Sequence, residues 1–98
     1  MTDPLAKPLS LPCGARLGNR LAKAAMTEGV ADELLRATPR HESLYRTWSE
    51  GGAGLLLTGN VQVDRHDLER PGNVARDPTE PRTCSAEARD RLARWSRA

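Results

Sequence analysis

A helix followed by a glycine-bounded apolar run limits the fold more than any other part of the chain. Thr38 and Pro39 predict the helix start, because a hydroxyl residue favours the N-cap and proline favours the first helical position. Apolar and aromatic side chains then recur every three or four positions up to about Glu50, and Gly51-Gly52 end the helix. The run Gly54–Thr58 is apolar without alternation, which predicts a strand buried on both faces, as in a parallel sheet.

A second strand and a second helix flank this segment. Arg20–Met26 has the pattern of a short strand, and a helix is predicted from about Ala86 to Arg97 with Ser85 as its cap. The apolar face of that helix consists of Ala88, Leu92 and Trp95. The order strand, helix, strand, helix predicts an α/β fold with a parallel sheet. Two parallel strands cannot cover their own faces, so we expect a partner or a longer chain to complete the sheet.

We interpret residues 1–98 as one α/β unit with four segments. Residues 1–18 form a lead-in and a hairpin, and residues 19–58 contain the first strand, the first helix and the second strand. Residues 59–84 are a long loop, and residues 85–98 are the second helix. A loop of that length without structure is usually functional or poorly ordered.

Composition and charge exclude several classes of function. Hydrophobic residues make up 38% of the chain and charged residues 29%, which is typical of a globular protein. The 15 basic residues are spread along the chain, with the 13 acidic residues among them, and form no basic run, so we expect no nucleic-acid partner. The longest apolar run is far shorter than the roughly 20 residues of a membrane span, and the first ten residues lack the apolar stretch of a signal peptide. We therefore expect a cytoplasmic protein without a membrane partner.

The predicted strand ends give the candidate binding site. Ligands of α/β proteins bind outside the carboxyl ends of the strands, which here are Ala24–Thr27 and Thr58–Asn60. In adjacent parallel strands these ends lie side by side on one rim. Small side chains there allow a flat ring to approach the backbone, and Thr27 offers a hydroxyl that can donate or accept a hydrogen bond. The alternative, that small residues simply end the strands, is equally compatible with their position.

Other chemically capable residues have structural interpretations. His41 falls on the predicted helix, where a packed or half-exposed histidine is more common than a catalytic one. His66 lies in a charged loop without the ligand spacing of a metal site. Glu28 and Asp32 could line a pocket, but we interpret them as ordinary loop carboxylates. The glycines of Gly51–Gly54 follow a helix and open a strand, the reverse of a phosphate-binding loop. We predict no catalytic residue and no metal site in this chain.

Two stretches, LPCGARLGNRLAKAAMTEGVAD and LYRTWSEGGAGLLLTGNVQVDR, resemble the N-terminus of the old yellow enzyme family, the NADH:flavin oxidoreductases. The similarity starts near Leu9, persists through Pro71–Val74 and resumes more loosely in Glu87–Ser96. The most specific pieces are Asn19-Arg20, Ala25-Met26-Thr27 and Gly51–Leu55. Together these pieces are specific, although each alone is weak.

The resemblance implies an FMN-binding TIM barrel, (β/α)8, of which this chain contains the first two βα units. Enzymes of the family pass hydride from NAD(P)H through FMN to an electron-poor alkene or a similar small-molecule acceptor. Ala25 stands where the family often has proline, while Met26 and Thr27 match its motif. By that match, backbone groups around Ala25 and Met26 contact the flavin, and the Thr27 hydroxyl hydrogen-bonds the isoalloxazine ring. Asn60 stands at the second-strand position near the flavin, where the family often has alanine or glycine.

The resemblance also implies that most of the catalytic site lies outside these residues. A barrel needs about 250 residues, and the phosphate is often held after strands seven and eight. We therefore expect the 98 residues alone to be inactive. The hypothesis from a different class is a non-catalytic truncated remnant, or a barrel fragment that pairs with a complementary fragment.

Overall fold

The computed structural model describes residues 3–98, so Met1 and Thr2 of the predicted lead-in lie outside the described residues. The elements, in chain order, are a 3₁₀ turn (Pro4–Ala6), β1 (Leu9–Ser10), β2 (Arg16–Leu17), β3 (Ala22–Lys23), α1 (Pro39–Glu50), β4 (Leu55–Leu56), β5 (Val61–Gln62), β6 (Val74–Ala75), a second 3₁₀ turn (Pro81–Thr83) and α2 (Ala86–Ser96). The chain is thus α/β with short strands and two helices, as the alternation of patterns predicts.

Both helices begin where their capping residues predict. In α1 the Thr38 N–H donates to Nδ1 of His41 at 3.0 Å, and Pro39 occupies the first turn. In α2 the Ser85 hydroxyl accepts from the Ala88 N–H at 3.1 Å, which satisfies one of the free donors of the helix start. The predicted helices are therefore confirmed to within a residue.

The strands pair in three separate two-stranded sheets. β1 and β2 are antiparallel, with Leu9 opposite Leu17. β3 and β4 are parallel, with Lys23 opposite Leu56, which confirms the predicted parallel pairing of the two strands on either side of α1. β5 and β6 form a second parallel pair within the stretch predicted as an unstructured loop, so that prediction was wrong. Residues 63–73 connect the end of β5 to the start of β6 through turns and contain no helix.

The core lies between α1, α2 and one face of the short strands. Its buried apolar members are Ala37, Tyr45, Val74 and Trp95. The ring centroids of Tyr45 and Trp95 are 5.5 Å apart at a near-perpendicular angle, and His41 lies 4.4 Å from Trp95. With so few aliphatic residues buried, aromatic contacts between the two helices hold the layer together.

The opposite face of the strands is open. Leu55 is 39% exposed, Leu57 49% and Val63 76%. The predicted burial of the Gly54–Thr58 strand on both faces is therefore wrong for this chain, because no layer of residues 3–98 covers its second face. The accessible surface is 6555 Å², against about 5,500 Å² for a compact protein of this mass. The radius of gyration is 15.6 Å, where a compact chain of this length has about 13 Å.

Among residues 3–98, neither helix has the length and apolarity that crossing a bilayer requires.

Candidate functional site

The carboxyl ends of β3 and β4 meet at one rim, as the sequence predicts. Gly59 lies so close to the end of β3 that a Cβ atom there would overlap the Met26 carbonyl oxygen and lie 3.0 Å from the Glu28 carboxyl carbon. The Gly59 N–H donates to Oε2 of Glu28 at 2.8 Å. Residues 25–28 and 58–60 thus form one continuous edge.

Glu28 joins this edge to the first helix. Its carboxylate accepts hydrogen bonds from the Gly59 N–H and from the Tyr45 hydroxyl. Burial and the hydrogen bond to Glu28 raise the pKa of Tyr45 well above its usual range, so the hydroxyl keeps its proton. The interpretation of Glu28 as an ordinary loop carboxylate is wrong, because it bridges a strand end and a buried tyrosine.

Lys23 lies on the same helix-facing side of the strands. Its Nζ donates to the Leu57 carbonyl at 2.6 Å and to the Ala24 carbonyl at 2.7 Å. The ammonium also stands 4.8 Å from the ring centroid of Trp48 and 5.3 Å from that of Tyr45. A lysine within an otherwise apolar strand is therefore paired with two carbonyls and two aromatic faces.

A third segment, Glu69–Asn73, completes the rim. The Thr27 hydroxyl donates to Oε2 of Glu69 at 3.2 Å, and the buried Asn73 amide donates to Oδ1 of Asn60 at 3.3 Å. Gly72 approaches Gly29 so closely that a Cβ would lie 2.5 Å from the Gly29 carbonyl oxygen. The loop between β5 and β6 therefore holds both predicted strand ends.

The four predicted cofactor-binding residues all lie on this rim, and their role in binding stays a prediction. Ala25 and Asn60 are exposed, Met26 is 51% exposed, and Thr27 is half-buried. Among residues 3–98, the backbone N–H groups of Ala25 and Met26 donate to no protein acceptor. The two free amides can donate to carbonyl or imine acceptors on the edge of a planar ring, and the small side chains leave room for that ring. The Thr27 hydroxyl, whose proton goes to Glu69, can accept from a ring N–H.

The remaining candidates have structural roles. His41 is fully buried with Nδ1 as a hydrogen-bond acceptor, which confirms its predicted packing role; burial lowers its pKa. His66 is exposed, and its Nδ1 lies 3.3 Å from Oδ1 of Asp64. Asp32 closes a turn by accepting from the Leu34 and Arg36 N–H groups. Within residues 3–98, no three His, Cys, Asp or Glu side chains are grouped to hold a metal ion.

Sequence reasoning missed the side chains that organise the rim. They are Lys23, Tyr45, Glu69 and Asn73. Only Lys23 carries a signal, because a charge inside an apolar strand pattern needs a partner. The other three depend on contacts between residues 13 to 42 positions apart.

Comparison with known proteins gives relatives of one kind. The chain is 47% identical over 62 residues (63% of its length) to the NADH-dependent flavin oxidoreductase iliE of Neonectria sp. (strain DH2). It is 40% identical over 70 residues (71% of its length) to iliE of Hypocrea jecorina (strain QM6a), and 47% over 64 residues (65%) to iccE of Talaromyces variabilis, both bearing the same enzyme description. The matched part spans only 8%, 18% and 16% of these relatives, respectively. No protein-family model matches the chain.

Proposed function

This chain is a relative of the NADH-dependent flavin oxidoreductases, as its old yellow enzyme resemblance predicts, and we propose that it supplies the flavin-facing edge of such an enzyme. In the proposed arrangement the flavin is FMN, the reductant is NADH, and the two βα units belong to a TIM barrel. Ala25, Met26, Thr27 and Asn60 line the side of the flavin ring.

The unpaired backbone of Ala25 and Met26 beside the Thr27 hydroxyl is the observation that supports this proposal. Backbone amides left without a protein acceptor at an exposed strand end are available to a ligand. Ala25 presents only a methyl group, so a flat ring can approach the backbone closely. These groups match the carbonyl and nitrogen edge of a flavin, while the Glu28 and Glu69 carboxylates at the same rim disfavour a phosphate.

The residues of this chain bind and orient; they do not react. Hydride transfer from NADH to an electron-poor acceptor is the chemistry that bound FMN supplies. Thr27 and the two amides tune the ring by hydrogen bonding at its edge. Glu69 orients the Thr27 hydroxyl by accepting its proton in a hydrogen bond.

We also propose that residues 1–98 alone neither retain FMN nor oxidise NADH. The chain spans less than a fifth of the curated relatives it matches, and the open strand face exposes Leu55, Leu57 and Val63. A complementary part of a barrel would cover that face, since parallel sheets are buried on both sides. The open face likewise supports the non-catalytic alternative, in which the chain acts only as a fragment that binds such a partner.

The proposal includes no nucleic-acid partner. Several arginines are paired with nearby carboxylates, as in Arg36–Asp32 at 2.9 Å and Arg94–Asp90 at 2.7 Å, so their charge is locally balanced. The cytoplasmic location expected from the sequence stays a prediction.

A chimera tests the proposal. We would replace the matching segment of the Talaromyces variabilis relative with this chain and measure bound flavin and NADH oxidation. The chimera should purify yellow and active, whereas the lone chain should be colourless and should not consume NADH. In the chimera, Thr27→Val should weaken FMN binding up to about tenfold through loss of one hydrogen bond, while Thr47→Val on the exposed face of α1 should not. A folded chimera without flavin would contradict the proposal.

A further inference from the structure

We propose that Lys23 and Glu28 are positioning residues that stop the β3–β4 ladder one step early, so that the backbone of Ala25 stays free for a ligand. The identity of that ligand, a planar flavin ring, rests on the proposed function. The interruption of the ladder rests on the hydrogen bonds of the chain itself.

The ladder before the interruption is regular. The Leu55 N–H donates to the Leu21 carbonyl at 3.3 Å, and the Leu57 N–H donates to the Lys23 carbonyl at 3.1 Å. In a parallel pair these bonds repeat every two residues. The next pair of bonds would join the Ala25 N–H to the Leu57 carbonyl and the Gly59 N–H to the Ala25 carbonyl.

Side chains occupy both of the backbone partners that Ala25 would use. The Leu57 carbonyl accepts from Nζ of Lys23 at 2.6 Å. The Gly59 N–H donates to Oε2 of Glu28 at 2.8 Å. Among residues 3–98, the N–H and the carbonyl of Ala25 therefore have no hydrogen-bond partner.

Charge explains why the side chains displace the backbone bonds. A hydrogen bond with one ionised partner is roughly twice as strong as one between neutral groups. The Lys23 ammonium is held in place by the Tyr45 and Trp48 rings, and Glu28 is held by the Tyr45 hydroxyl. The buried Tyr45 of α1 thus fixes both interrupting side chains.

Ala25 therefore carries a free N–H donor and a free carbonyl acceptor at the tip of β3, and its side chain is only a methyl group. Such a pair complements the lactam edge of a planar heterocycle, which also carries one N–H and one carbonyl side by side. A strand end that continued the ladder to Gly59 would lose both groups to the sheet.

Amide hydrogen exchange followed by NMR, with no flavin present, tests the interruption. In the wild-type chain the Ala25 amide should exchange much faster than the Leu55 and Leu57 amides of the ladder. Lys23→Met removes the ammonium and keeps the chain length, so the Leu57 carbonyl should accept from Ala25. The Ala25 amide should then slow about tenfold relative to Leu55, as for a backbone bond of ordinary strength. Lys7→Met, at an exposed lysine outside the site, should leave the ratio unchanged.

Two results would overturn the inference. An Ala25 amide already as protected as Leu57 in the wild type would show that the ladder is not interrupted. An Ala25 amide that stays fast in a folded Lys23→Met variant would show that Lys23 is not the cause. If Lys23→Met does not fold, the wild-type ratio still decides whether the ladder is interrupted at Ala25. Flavin content of the chimera decides the proposed function separately, because the exchange ratio does not depend on a bound flavin.

Discussion

Replacing Gly59 by alanine should destabilise the chain through a single contact. The added Cβ would overlap the Met26 carbonyl oxygen and the Glu28 carboxylate at the junction of the two strand ends. The carbonyl belongs to the backbone and cannot rotate away, so one strand end must shift. Overpacking of this kind costs about 1–3 kcal/mol, and displacement of the Gly59–Glu28 hydrogen bond adds about 1 kcal/mol. We expect Gly59→Ala to lower the free energy of unfolding by about 3 kcal/mol.

Gly18→Ala is the matched control. No atom lies within 4 Å of a Cβ at Gly18. Its free energy of unfolding should stay within about 0.5 kcal/mol of wild type. Urea unfolding followed by the fluorescence of Trp48 and Trp95 measures both variants. Equal stability of Gly59→Ala and Gly18→Ala would refute the close approach of the two strand ends.

Three further predictions concern the surroundings of the site. Tyr45→Phe should cost about 2 kcal/mol in urea unfolding, because it removes a hydrogen bond to the Glu28 carboxylate; no loss in Tyr45→Phe would show that bond to be absent. Trp95→Ala should cost about 4 kcal/mol and unfold much of the population, as circular dichroism would show; a native spectrum would contradict the aromatic core. Hydrogen bonds from Arg65 and Thr79 hold the pKa of Asp77 at about 2, and Arg82 holds that of Glu80 at about 2. Both values lie below the unfolded ones of 3.8 and 4.5, so this stabilisation should be complete above about pH 5 and be lost as the pH falls toward 2. Asp77→Asn should be less stable at pH 7 and lose less stability over that acid range; an unchanged acid profile would argue against these contacts.

Local signals in the sequence predicted the helices and the parallel pairing. The N-caps of α1 and α2 and the glycines after α1 act within a few residues of the elements they define. The apolar run before Thr58 predicted a strand parallel to the one that ends near Met26, and this pairing is present. The predicted burial of this strand on both faces is absent, because such burial depends on layers that residues 3–98 do not contain.

The residues that organise the site depend on contacts distant in sequence. Glu28 pairs with Tyr45 and Gly59, and Thr27 pairs with Glu69, 42 positions away. Glu69 lies in the loop between β5 and β6, and the sequence of this region had no periodicity that predicted either strand. Strand-end position alone indicated where a ligand could bind, and the tertiary contacts define which backbone groups are free.

The central claim is that FMN binds against Ala25, Met26 and Thr27, and amide resonances test it most directly. In the chimera stripped of flavin and labelled with ¹⁵N at alanine and methionine, adding FMN should shift the Ala25 and Met26 amides and leave that of Ala93, on α2, in place. Saturable FMN binding that shifts neither Ala25 nor Met26 would contradict the account.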